Sequence, residues 1–341
     1  MMIGKLPNGF RVMKLIPMIL AAYCVGSLLR ADDAAPLTLK QTIALPGVEG
    51  RFDHAAADPA THRLFFAALG NNTLEVVDVA AGKRLHTISG LKKPTGVVFL
   101  ADENLLVVAN GGDGTCGFFD GTTYAEKGRV TGVDDADNLR FDAKGKRIYL
   151  GFGDGALGVI DPATMKLTAR IALAKHPESF QLERDGARIF VNIPDARQIA
   201  VVDRAAGKVT ATWPVDEFRA NFPMALDEAR HRVFIGCRAP ARLLAFDTQS
   251  GKRVADAALS GDIDDLFFDA ASSRLVASCG EGFVDVFRVD GSERIERTHR
   301  LPSAAGARTA FFADKLGYCL AVPHRDGQGA EIRVHHLSAT K

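Results

Sequence analysis

Short apolar segments recur along the chain, each bounded by Gly, Asp, Asn or Pro. Four of them read "RLFFAAL", "RIYLGF", "RIFVNI" and "RVFIGC". They are rich in β-branched and aromatic residues, which fits strands better than helices. After residue 36 no stretch sustains a 3.6-residue period. Each segment sits inside a larger repeated unit. An apolar strand and a turn come first, then a second strand opening with Arg or a neutral equivalent and a Gly/Asn/Asp loop. A third strand ending in Asp, a Gly-Lys turn and a fourth strand complete the unit. The first copy reads RFDHAAADPATHRLFFAALGNNTLEVVDVAAGKRLHTISGL. The third-strand endings fall at Asp78, Asp120, Asp161, Asp203 and Asp247, spaced by 42, 41, 42 and 44 residues, and Arg288 and His335 take the same slot in two diverged copies.

Seven copies of four strands at this period predict an all-β, seven-bladed propeller with four-stranded antiparallel blades. The last copy runs out after "EIRVHHL", while "LTLKQTIALPG" ahead of the first copy has the pattern of an outer fourth strand. Residues 37–46 are therefore expected to complete blade 7, which closes the ring and removes an exposed strand edge. Residues 32–341 then form one propeller domain.

The first 31 residues break the pattern. They carry Lys5, Arg11, Lys14 and Arg30 with no acid, then an apolar run from Leu15 to Leu29 ahead of Asp32-Asp33. A basic start, a short apolar middle and a small residue before the acids predict a signal peptide over 1–31 and a periplasmic or secreted product. Met13 is an alternative start, and an uncleaved anchor is the competing reading of the same run. The chain of 341 residues has a formal charge of +1. Removing those four basic residues leaves 38 against 41 acids, a charge of about −3. That balance argues against a nucleic-acid partner. Beyond export, no membrane association is expected, and the domain reads as a monomer. Cys116, Cys237, Cys279 and Cys319 fall on strands of different blades in no zinc-ligand spacing, so they read as buried free thiols.

The candidate chemistry lies on one face. In a propeller the first strand of each blade lines the central channel. Its entry shares a rim with the loop between strands two and three. Counting back nine residues from the opening of strand two gives His54, Thr95, Asn138, Ser179, Pro223, Asp265 and Arg308. One step earlier come Asp53, Pro94, Asp137, Glu178, Phe222, Asp264 and Ala307. Arg51, Asp135, His176, Asn221, Asp262, His324 and Arg325 fall beside these positions, with Asp134 and Arg219. The opposite turns, such as "DPATH" and "DEARH", read as ordinary polar hairpins with His62 and His231 on their surface. Such asymmetry is expected where loops on a rigid scaffold carry the site.

The repeats "LEVVDVAAGKRL", "LGVIDPATMKL" and "IAVVDRAAGKV" resemble the YncE-like, YVTN-type propeller repeat of exported bacterial proteins, over nearly all of residues 37–337. The resemblance implies the fold and export, and brings no catalytic residue with it. Two functions remain open from the residues. One is a binding module that captures a small polar molecule or a protein partner at the rim. The other is a metal-assisted lyase or hydrolase, with His54, His176 and His324 as candidate ligands of a divalent metal and a carboxylate as base. Catalytic residues are not identifiable from spacing alone.

Overall fold

The computed structural model describes residues 1, 2, 4, 35–291 and 294–338. The chain divides into two compact units, 1–34 and 35–341. The expected signal segment, residues 1–31, lies almost wholly outside the described residues. The second unit is the propeller. It holds seven four-stranded antiparallel sheets, each pairing its strands in chain order except one. Blade 1 comprises Ala55–Asp58, Arg63–Ala68, Thr73–Asp78 and Lys83–Ile88. The exception is blade 7, where Leu37–Leu45 pairs with Ala330–Leu337, as the repeat arithmetic requires. Ile332 faces Ile43 and Ala330 faces Leu45 across that closure.

The unbroken apolar runs of the second and third strands follow from burial on both faces. Side chains alternate across a strand. Leu64, Phe66 and Ala68 of blade 1 therefore pack toward blade 7, and Phe65 and Ala67 pack toward blade 2. Seven apolar clusters result, one in each cleft between neighbouring blades. A fully buried Phe contributes about 2–3 kcal/mol, and four phenylalanines of second strands, Phe65, Phe66, Phe190 and Phe234, and Phe118 of a third strand have no exposure. The four cysteines of the ring lie in four different clefts as free buried thiols. Burial pushes Cys116, Cys237 and Cys319 up to about 12, which leaves them unreactive.

The hairpins joining strands one to two and three to four share one face and are pinned by carboxylates. Asp58 accepts from the Ala60 N–H (3.1 Å), Thr61 Oγ1 (2.5 Å) and Arg63 Nη2 (2.9 Å). Asp142, Asp227 and Asp269 repeat the backbone contact in blades 3, 5 and 6. Glu183 does the same for Arg188 N in blade 4 (3.0 Å) and also takes that arginine's Nε (3.0 Å). The repeated third-strand aspartates cap the second hairpin, as Asp78 does for Ala81 N (2.9 Å) and Asp203 for Ala206 N (2.8 Å).

Candidate functional site

Cross-strand pairing gives the true register of the inner strands. Ala55 faces Phe66, Val97 faces Val108, and Leu139 faces Leu150. Blade 2 is thus one residue out of step with the count from sequence. Asn104 holds the left-handed turn position (φ 46°) that His62 holds in blade 1 (φ 58°), so strand two opens at Leu105. Thr95, and not Pro94, is the partner of Asp53, and Gly96 takes the register of His54.

With that correction, Asp53, Thr95, Asp137, Glu178, Phe222 and Asp264 are equivalent residues of six consecutive blades, and all six line one cavity of about 500 Å³ at the channel mouth. In blade 7 Ala310 faces Leu320 as Ala55 faces Phe66, so Arg308 is the seventh equivalent residue, and it lines the cavity too. Gly96 belongs to this construction. A Cβ there would sit 2.1 Å from the Asp137 carbonyl oxygen, so only glycine lets blade 2 press against the backbone that carries Asp137.

The cavity has two unlike halves. On blades 5 to 7 the acids are neutralised. Arg308 Nη1 donates to both oxygens of Asp262 (2.7 and 2.8 Å), and its Nε lies 3.4 Å from Asp264. Arg238 also pairs with Asp264, donates its Nε to the Ile263 carbonyl (2.7 Å), and stacks over the Phe222 ring at 4.3 Å. Burial raises the Asp264 carboxyl despite these two arginines. On blade 1, Arg51 pairs with Asp53 at 3.1 Å.

On blades 3 and 4, Asp137 and Glu178 form no ion pair with lysine or arginine among the described residues, while lining the same space. Burial first, then the neighbouring Asp137 and Asp264, push Glu178 up to about 9. His176 stands beside them. Its Nδ1 is 2.7 Å from the Gly153 carbonyl and donates to it, which leaves Nε2 as the acceptor. Asp135 lies 3.6 Å from the same ring. Asn138 is 1% exposed, donates Nδ2 to Asp137 (3.3 Å), and has an Oδ1 with no hydrogen-bond partner.

His54 forms the floor. Its Nε2 is 3.4 Å from Asp53 and its Nδ1 is 3.7 Å from Asp265, which itself accepts the Ala310 N–H at 2.8 Å. Burial opposes charge on this ring, but Asp53, Asp265 and Asp137 outweigh it and raise His54 to about 10. His54 is thus an imidazolium between two carboxylates. Below it a second cavity of about 400 Å³ continues down the channel between Val98, Phe141, Phe267 and Phe311.

Of the residues expected at the rim, Arg51, Asp53, His54, Asp135, Asp137, Asn138, His176, Glu178, Asp264 and Arg308 line the mouth cavity. Asp262 braces two of its arginines, and Asp265 lines the channel below. Three residues stand elsewhere. Asn221 is fully buried and donates to Asn192 Oδ1 (3.0 Å), tying blade 5 to blade 4. His324 pairs with Glu49 at 2.9 Å, half-exposed outside the lining. Arg325 donates to Gln328 Oε1 at 2.6 Å. The grouping of His54, His176 and His324 is therefore not the one the fold assembles. Asp137 instead groups with Asp53 and His54 on one side and with His176 and Glu178 on the other.

Two arginines escaped the sequence count. Arg238 ends the buried strand Arg232–Ala239, and Arg140 sits between Leu139 and Phe141 in an inner strand. A charged residue interrupting a buried run was the available signal for both. Arg140 Nη1 donates to the Leu139 carbonyl at 2.8 Å, and burial lowers its affinity for its proton.

No protein-family model and no curated protein sequence matches the chain. Solved structures do. A chain of the structure described as "Crystal Structure of Mitotic Checkpoint Complex" superimposes with a TM-score of 0.75 at 12% identity, covering 95% of this chain and 99% of that one. A chain of "Kuenenia stuttgartiensis Hydrazine Synthase" gives 0.74 at 16% identity, covering 85% and 99%. At these identities the likeness shows the fold alone: the chain is a seven-bladed β-propeller.

Proposed function

We propose that the chain is an exported propeller of the YncE-like repeat type whose mouth cavity binds a small polar ligand through a cationic group. One observation carries this reading: among the described residues Asp137 and Glu178 face the cavity without a lysine or arginine partner, while the acids on the opposite side are matched by Arg238 and Arg308. Two carboxyls held this close cannot both ionise readily, so one keeps its proton until a cation enters. The rigid ring supplies the preorganisation a binding site needs. The basic and apolar start of the chain supports export to a periplasmic or secreted location.

Calorimetric titration of the untagged chain tests the reading, with putrescine as an organic cation and Zn²⁺ or Mn²⁺ as inorganic ones. At least one should bind stoichiometrically, and the double variant Asp137→Asn/Glu178→Gln should lose it by tenfold or more. If none binds, or if the double variant binds as well as the wild type, the cavity has another role.

A further inference from the structure

We infer that the cation is a divalent transition-metal ion held by Asp137, His176 and Glu178. This rests on the reading of the mouth cavity as a cation site and goes further, to a ligand set. A donor atom from each of the three lies within 4.8 Å of the other two. Ligands about 2.1 Å from a tetrahedral ion stand about 3.4 Å from one another, so side-chain shifts of about 1 Å would close the group on an ion.

The chemistry of His176 selects this group over its neighbour. Its Nδ1–H is committed to the Gly153 carbonyl at 2.7 Å, which fixes the tautomer and presents the Nε2 lone pair. A backbone carbonyl behind a histidine is a regular outer partner of metal ligands. The competing group, Asp53, His54 and Asp137, lacks such a lone pair, because each nitrogen of His54 faces a carboxylate, Asp53 on one side and Asp265 on the other. Asn138 adds an independent sign of a ligand. Its Oδ1 is buried and accepts no hydrogen bond, while its Nδ2 is anchored on Asp137. A buried amide oxygen without a partner costs about 1–3 kcal/mol, and an ion or its bound water beside Asp137 would satisfy it.

One imidazole nitrogen with two carboxylates suits Zn²⁺ or Mn²⁺ better than Mg²⁺ or Ca²⁺, which favour all-oxygen shells. Three protein ligands leave a coordination position open toward the cavity. With the metal ion as the cation, the small ligand needs no cationic group of its own, and an anionic group can occupy this position, with Arg197 and Arg219 lining the adjoining depression that shares His176 and Glu178.

Equilibrium dialysis of the untagged full chain against Zn²⁺ and Mn²⁺ tests this, with circular dichroism to confirm folding. The wild type should hold one equivalent of at least one of these ions. His176→Gln, Asp137→Asn and Glu178→Gln should each weaken it tenfold or more, so failure of any one variant to fold leaves two others. His324→Ala should keep the wild-type affinity within about twofold. Absence of stoichiometric metal in the folded wild type overturns the inference, as does binding unaffected by the three variants. Equal weakening by His324→Ala would restore the three-histidine set and also overturn it. Putrescine binding without metal binding would remove the metal and leave the cation site standing. Binding of neither would remove both.

Discussion

Glu178 and Glu183 stand at the two ends of one inner strand of blade 4, Phe180–Leu182, and live in opposite surroundings. Glu183 is 7% exposed and takes the backbone N–H and the guanidinium of Arg188. Glu178 opens on the mouth cavity beside Asp137 and, among the described residues, pairs with no lysine or arginine. The same contrast runs around the ring. On the hairpin face each carboxylate satisfies a turn, and Asp58 sits below the usual aspartate range. Burial works against that shift, but Thr61, Arg63 and the Ala60 N–H outweigh it. On the mouth face burial and like charges raise Glu178 to about 9 and also raise Asp53. One ring of acids holds the fold together. The other is maintained against the fold, which is the mark of a site.

The largest effect expected is on what both faces share. Deleting residues 37–46 removes the strand that closes blade 7 and takes Ile43 and Leu45 out of the cleft against blade 1. Each fully buried side chain is worth about 1.5–3 kcal/mol. Calorimetry should therefore show a large fall in Tm and loss of cation binding together. An unchanged Tm would mean the ring does not depend on that closure.

Gly96→Ala should separate the faces. Its Cβ would meet the Asp137 carbonyl oxygen, and relief of such overpacking costs about 1–3 kcal/mol. The strand carrying Asp137 would shift, so cation affinity should fall by more than the loss of stability accounts for. Titration against wild type at a temperature where both are folded checks it.

Asp58→Asn should cost about 1–3 kcal/mol in urea unfolding, the range for hydrogen bonds to a charged group, without altering the mouth. Because folding lowers the Asp58 pKa, its stabilisation is fully present above the ordinary value of 3.8 and is lost as pH falls below it. The gap between wild type and variant should be constant at neutral pH and close in acid. A gap that widened on acidification would reverse the assignment.

The blades were legible in the chain because both faces of strands two and three are buried, and this writes continuous apolar runs at a fixed period. The channel-mouth position was legible for Asp53, Asp137, Glu178 and Asp264 for a related reason: equivalent strands enter the channel at equivalent depth. It slipped at Thr95 because Asn104 resembles a strand opening in sequence, yet its left-handed backbone makes it the last turn residue. The pairing of side chains across blades was not legible. His324 and His54 belong to adjacent blades, but His324 turns to Glu49. Arg238 reaches from the end of strand two to Asp264 of the next blade, a contact set by its length and the stack on Phe222.

The most direct measurement applies the same isosteric change to both ends of one strand: thermal unfolding at neutral pH, without added cation, of Glu183→Gln and Glu178→Gln. Glu183→Gln should be destabilised by about 2 kcal/mol, since it leaves the buried contacts of Arg188 without their anion. Glu178→Gln should be as stable as the wild type or more so, because burial, Asp137 and Asp264 already hold Glu178 in its neutral form at this pH and the amide reproduces it. If both variants lost comparable stability, the mouth acids would be structural like those of the hairpins, and the binding site would have to be sought elsewhere.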